Sequence, residues 1–393
     1  MTVARPAPLH VLLLVHNLGI GGAQVAVCNL ATALVEVNCM PIVCAWKRTG
    51  ILAQRLQSTS VAVEVPPHEP TGWRRLGVPF ALQQVMRRHR IDVIHAHMSD
   101  SAAWGTLLQT ISGRPCVITH HSNNLTDNTA PMQSWQAAGR RWLLCLTARQ
   151  ATTNIAVSGA IRDRLFREAG VPRERVELVP NAVPPAPIEG VVRAAAQRQT
   201  RAARRFEEHG RPRVVYVGRL AAGKRHDILL AAWPLVIRAL PTATLVLVGE
   251  GPLEAELRVQ AEQHGIASRV SFAGATVSAD DWLADADLYV SASTSEGLSI
   301  ALLEAMAWGV PVVVSDVPGH HELVRAGETG RLVPAASPAL IAEAIIAALT
   351  HWNESAACAA RAQQMVDTHY SLAAAARRHV EIYQATLSGR VRP

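Results

Sequence analysis

Two glutamates, Glu296 and Glu304, bracket the segment of this 393-residue chain best suited to chemistry. Between them Gly297, Leu298 and Ser299 read as a turn running into a helix start. Free backbone N–H groups at such a start attract phosphate, and carboxylates beside them can accept hydrogen bonds from sugar or ribose hydroxyls. A strand ending near Val290 leads into this loop, and Gly309 with Pro311 closes the helix before the apolar run Val312–Ser315. That spacing puts Glu304 in the second helical turn, aimed sideways, while residues 297–299 face the phosphates.

A second group supplies positive charge. The run Val214–Val217 delivers Gly218 and Arg219 to a strand end, and a short turn returns Lys224 beside the arginine. Two fixed cations there suit a diphosphate and would stabilise charge building on it as it departs. Near the N-terminus, Gly19, Gly21 and Gly22 follow the first strand and open the first helix, so that phosphate or sugar can approach backbone N–H groups. This is not the G-x-G-x-x-G pattern, and Cys44, Ala45, Trp46 and Lys47 stand where an acidic residue would close the second strand. A nicotinamide cofactor is therefore disfavoured. Histidines recur at strand ends in this half: His16, His95, His97, His120 and His121. In a parallel sheet those ends line the ligand crevice. No His-Glu-x-x-His helix accompanies them, and no metal is expected.

These residues need a scaffold, and the chain repeats one pattern: an apolar β-branched run, a turn, then an Ala/Leu-rich helical stretch. Strands without strict alternation, separated by helices, predict α/β architecture with parallel sheets covered on both faces. At 49 % hydrophobic content the chain can build two cores. Residues 1–185 are read as one Rossmann-like domain, 186–209 as a linker marked by its composition break, and 210–370 as a second Rossmann-like domain. Residues 371–393 form a closing helix that could pack back on the first domain. The six cysteines are scattered, as in a reduced compartment, and Val11–Val15 is too short to span a membrane. Residues 1–185 hold 18 Lys and Arg against 10 Asp and Glu, while the remainder holds 20 against 21. The basic clusters Trp73, Arg74, Arg75; Arg87, Arg88, Arg90; and Arg140, Arg141, Trp142 suit an anionic membrane surface. No motif points to nucleic acid. The expected location is cytoplasmic, with reversible contact at the inner membrane.

Taken together, the glycine turn, the strand-end histidine, the Arg/Lys pair and the E-x7-E motif resemble family 4 glycosyltransferases, over roughly residues 10–385. The resemblance implies two facing Rossmann-like domains with a cleft between them (the GT-B type) and a retaining, metal-independent transfer from a UDP-, GDP- or ADP-sugar. The hydroxyl acceptor would be a glycan or lipid-linked glycan, as in cell-surface polysaccharide synthesis. It assigns catalysis to His121 (or His120), Glu296, Arg219 and Lys224, and donor binding to Gly21, Gly22, Arg219, Lys224, Glu296, Gly297, Leu298, Ser299 and Glu304. His97 and His120 fall on the acceptor side. The usual Pro-Asn-Gly-Val-Asp turn is here Pro180, Asn181, Ala182, Val183, Pro184, and Gln24 stands where Glu is common. Two other classes share parts of the pattern: a nucleotide-sugar epimerase, which needs no acceptor, and a non-catalytic sugar-nucleotide-binding protein.

Overall fold

The computed structural model describes residues 7–65, 77–122, 134–203, 211–335 and 337–389. The chain forms two compact units. One takes in Ala23–Ala182 with the N-terminal strand and the helix Leu372–Leu387; the other is built on Val183–Ser371.

The first unit holds a sheet of strands β1 (Leu9–Asn17), β2 (Cys39–Arg48), β3 (Ala62–Glu64), β4 (Val93–His97), β5 (Cys116–His120), β6 (Thr153–Ala156) and β7 (Val176–Leu178). Its order is β3-β2-β1-β4-β5-β6-β7, and every pair is parallel. The winding reverses between β1 and β4, where open α/β sheets bind ligands beyond the strands' carboxyl ends. Helices α1 (Gly22–Glu36), α2 (Leu52–Gln57), α3 (Val78–Arg88), α4 (Ser99–Ser112), α5 (Ser134–Gln150) and α6 (Gly159–Arg167) connect the strands.

Strand β1 shows why both faces are covered. Val11, Leu13 and Val15 enter one apolar cluster and Leu12 and Leu14 the other, all fully buried. Successive side chains on a strand point to opposite faces, so an unbroken aliphatic run is stable only between two helical layers. Each such side chain contributes roughly 1.5–3 kcal/mol on burial.

The second unit repeats the plan with β8 (Arg213–Val217), β9 (Thr244–Val248), β10 (Val270–Gly274), β11 (Leu288–Ser291), β12 (Val312–Ser315) and β13 (Arg331–Val333), in the parallel order β10-β9-β8-β11-β12-β13. Its helices are α7 (Ile188–Ala203), α8 (His226–Ala239), α9 (Glu254–Gln263), α10 (Asp280–Ala284), α11 (Ile300–Ala307), α12 (Pro318–His321), α13 (Pro338–Thr350) and α14 (Trp352–His369). Helix α7 occupies much of the stretch read from composition as a linker. Its Arg198 is buried and donates to the carbonyls of Ala286 at 2.7 Å, Leu283 at 2.8 Å and Trp308 at 3.1 Å. Those oxygens lie at the carboxyl ends of α10 and α11, where helix dipoles favour a cation. Burial lowers the Arg198 pKa to about 10, with Asp287 opposing, so it stays charged at neutral pH.

The last helix, α15 (Leu372–Leu387), belongs to the first unit. Its Ala376, Ile382 and Tyr383 join the cluster around Val11, Leu13 and Val15.

Candidate active site

In the second unit the strand exits are pressed close together. Gly218, just after β8, has φ +149°, and a Cβ on Gly249, just after β9, would stand 2.1 Å from the Gly218 carbonyl oxygen. No side chain fits there, which is what glycine at both exits provides. The turn that follows carries Lys224. Thr294 ties it to the loop after β11, its backbone N–H and hydroxyl both donating to the Gly223 carbonyl, at 3.0 and 3.2 Å.

Lys224 Nζ then donates to Glu296 Oε1 at 2.5 Å, and the Glu296 side chain is only 11 % exposed. Burial alone would raise this carboxyl's pKa; Lys224 and then His320 outweigh it, and the group titrates below its ordinary value. Glu296 is therefore a carboxylate at neutral pH. Behind it, a Cβ on Gly319 would meet the Glu296 carbonyl oxygen at 2.3 Å, so α12 seats this backbone directly. Ser299 is the N-cap of α11, its hydroxyl accepting from the Leu302 N–H at 3.4 Å. Glu304 follows in the second turn, half-buried. Arg219 is exposed, and its side chain makes no hydrogen bond or ion pair with the described residues.

Gly21 lies in the turn after β1, and Gly22 begins α1. The histidines divide by strand parity. His95 and His97 on β4, with Thr119 and His121 on and after β5, share the face that α15 covers: Tyr383 contacts His95, and His95 in turn meets Thr119. His95 and His97 are 0 % and 2 % exposed, so sequence position at a strand end has put them in the core. His121 is turned the same way, its Nε2 lying 3.0 Å from His97 Nδ1 and its Nδ1 buried. Burial, then His120 and His379, lower its pKa to about 3 against hydrogen bonding with Asn181.

His120 lies on the opposite face. Its Nε2 is 2.9 Å from Asn154 Oδ1, and the Asn154 amide is oriented by donating to the Ala148 carbonyl at 2.9 Å. Nε2 therefore carries the proton, and Nδ1 is left as an acceptor with no hydrogen bond to a described residue.

Residues 20–186 match the model of Glycosyltransferase Family 4, and residues 211–351 that of Glycosyl transferases group 1. The chain is a family 4 glycosyltransferase.

This glycosyltransferase is 28 % identical over 348 residues to the phosphatidyl-myo-inositol mannosyltransferase of Mycobacterium leprae, covering 84 % of each chain. It is also 28 % identical over 309 residues to the alpha-D-kanosaminyltransferase of Streptomyces kanamyceticus, covering 76 % of this chain and 78 % of the other. Among solved structures, Anabaena HepE in complex with UDP-glucose superposes with a TM-score of 0.79 at 22 % identity, covering 96 % of this chain and all of that one. The two parallel-sheet units are those of the GT-B glycosyltransferases. Among the described residues no group of three or more His, Cys, Asp or Glu could hold a metal ion, and no helix is long and apolar enough to cross a membrane. Of the basic clusters, Trp73, Arg74 and Arg75 lie outside the described residues. Arg88 is paired with Glu64 at 3.0 Å, and α5 presents exposed Arg140, Arg141 and Trp142.

Proposed function

We propose that this glycosyltransferase moves a sugar from a nucleoside-diphosphate-sugar to a hydroxyl of a glycan or lipid-linked acceptor, with retention and without a metal. The observation carrying this reading is the Lys224–Glu296 pair: a buried carboxylate and a cation joined at 2.5 Å where two strands of one sheet end. Glu296 is kept ionised in its buried position by a cation that still reaches solvent, an arrangement that clusters at functional sites. Glu296 offers hydrogen-bond acceptors to the donor sugar's hydroxyls. Lys224 and the exposed Arg219 take the diphosphate, Glu304 the ribose, and the N–H groups around Gly297, Leu298 and Ser299 the phosphates or sugar. The bound UDP-glucose of HepE supports a nucleotide-sugar donor.

Glu296 is the one carboxylate assigned to the sugar, so no acid and nucleophile pair flanks the bond as in hydrolases. Displacement on the front face follows, the departing phosphate oxygen taking the acceptor proton while the two cations neutralise its charge. Of the strand-end histidines we assign contact with substrate to His120, whose Nδ1 is not committed, over His121, whose nitrogens face the core. A cytoplasmic site with reversible contact at an anionic membrane is part of the same reading, carried by the exposed Arg140, Arg141 and Trp142 on α5.

Purified enzyme incubated with UDP-, GDP- and ADP-sugars and acceptor lipids should release nucleoside diphosphate only when acceptor is present. The product should keep the donor's anomeric configuration, and chelator should leave the rate unchanged. An inverted product, or full activity in Lys224→Ala, sinks this mechanism. Liposome co-sedimentation tests the membrane half: binding should need anionic lipid and weaken with salt.

A further inference from the structure

A further set of titratable and aromatic side chains stands at the carboxyl edge of the first sheet, where the winding reverses between β1 and β4. His16, the penultimate residue of β1, brings its Nδ1 to 3.2 Å from Oδ2 of Asp100, in the first turn of α4. Two departures from regular backbone hold this pair. Strands β1 and β2 pair Val15 with Ala45 but Asn17 with Arg48, so Trp46 and Lys47 together stand opposite His16. Bulges of this kind re-aim side chains beside active sites. Met98, between β4 and α4, has φ +70° and ψ 161°, a conformation almost confined to glycine, and such strain gathers at binding sites. The Trp46 ring meets the His16 ring edge-on at 5.0 Å, and its indole N–H donates to the Oγ of fully buried Ser101 at 3.1 Å. Two strands and a helix are thus locked around one imidazole.

In His95 both ring nitrogens are committed within the core; in His16 one is held and one is open. The His16 side chain is 22 % exposed, and its Nε2 makes no hydrogen bond with the described residues. Asp100 is ionised at neutral pH, its carboxyl held below the ordinary value by His16 first, with Arg140 and Lys47 adding to it against burial. A carboxylate can only accept, so Nδ1 of His16 donates to it and Nε2 presents a lone pair. We propose that His16 is a binding residue for the acceptor, its Nε2 accepting from a hydroxyl of a sugar or cyclitol ring, and that Asp100 is the positioning residue that fixes the imidazole. The charges around the ring select this chemistry. Asp100 repels a phosphate, Lys47 and Arg140 oppose a cation, and a neutral hydroxyl supplies the proton that Nε2 lacks. No proton is transferred here, and the departing phosphate remains the base.

This inference rests on the reading of the first unit as the acceptor side, and its test separates the two. In the full-length protein with ¹³C-labelled histidine, the His16 ring signal is identified by its loss in H16Q. It should shift saturably on titration with methyl α-mannoside, methyl α-glucoside or myo-inositol, and stay still with inorganic phosphate. A shift from phosphate alone, or from none of the three polyols, overturns the proposal. With an acceptor lipid that supports turnover, His16→Leu should raise acceptor KM about 3-fold to 10-fold, as for one lost neutral hydrogen bond, with kcat and donor KM little changed. H16Q, which keeps an acceptor near the place of Nε2, should recover most of that loss. Asp100→Ala should weaken acceptor binding in the wild type and add nothing in H16L, whereas losses that add in full would show that Asp100 does not act through His16. A raised donor KM in H16L, with acceptor KM unchanged, also overturns the assignment. Should the wild type release no nucleoside diphosphate with any donor, the functional reading fails while the polyol titration still decides the site.

Discussion

Acidification should unfold the first unit at a pH set by its buried histidines. Burial is the leading cause that lowers the pKa of His95, His97, His121 and His379, to about 3 for His121 and about 4 for His379. In the unfolded chain each returns to about 6.5. Below that pH the unfolded state binds protons that the folded state refuses, so stability is full above about pH 6.5 and is lost as pH falls toward the folded values. At pH 5.0 the gap for His121 and His379 is about 1.5 units, or roughly 2 kcal/mol each and roughly 4 kcal/mol for the two, and burial of His95 and His97 acts in the same direction. That is a large share of the whole stability of an ordinary domain, about 5–15 kcal/mol. Hydrogen exchange read by mass spectrometry on peptides of β4 and β5 should therefore show protection constant from pH 8 to 7 and collapsing near pH 5, after correction for intrinsic rates. His379→Leu should flatten the dependence by about one proton's worth, roughly 2 kcal/mol at pH 5.0. Protection unchanged from pH 7.5 to 5.0, or an H379L slope equal to wild type, would refute the claim that these rings are held neutral by the fold.

Three further outcomes follow from single contacts. Arg198→Met strips the donors from the carbonyls closing α10 and α11, and should cost roughly 3 kcal/mol in urea denaturation of the second unit; a loss within 0.5 kcal/mol of zero would mean water serves those oxygens equally well. Gly319→Ala drives a methyl into the Glu296 carbonyl, so donor affinity should fall at least as far as stability does; unaltered donor binding by calorimetry would show that α12 does not seat Glu296. Glu304→Ala should raise donor KM about tenfold while shrinking the preference for ribose over deoxyribose nucleotides; a preference equal to wild type would remove the ribose role.

The local structure around the second unit's candidate residues was legible because they lie in short motifs whose spacing is local. Strand, glycine turn, Ser299 cap and helix follow from consecutive residues, and Glu304 falls one helical turn in by counting alone. Lys224 is different: its partner Glu296 is far away in sequence, and nothing but the sheet's winding brings them together. The first-unit histidines show the opposite weakness. Their position at strand ends suggested a shared crevice, yet side-chain parity sends His95, His97 and His121 to one face and His120 to the other. Parity was readable from the numbering, and a closing helix over residues 371–393 was expected to return to the first domain; which face it covers was not readable, because docking leaves no periodic trace. Composition also obscured α7, where Ala and Arg residues between prolines hide a helix whose one buried cation closes two others. The edge strand β13, three residues long, carries too short an apolar pattern to stand out.

The return of α15 to the first sheet has a consequence for how the chain is made. Tyr383 and Ile382 complete a core that begins with Val11, so a ribosome must finish the whole intervening unit before that core can close. Apart from Ile20–Gly22, the second unit's residues run without a break from Val183 to Ser371 and can settle as they emerge. During synthesis the first sheet thus waits with His95 and its apolar neighbours uncovered, a period in which chaperones would find it. A nascent chain arrested after Ser371 should leave β1 and β4 open to protease, and extension through Leu387 should close them.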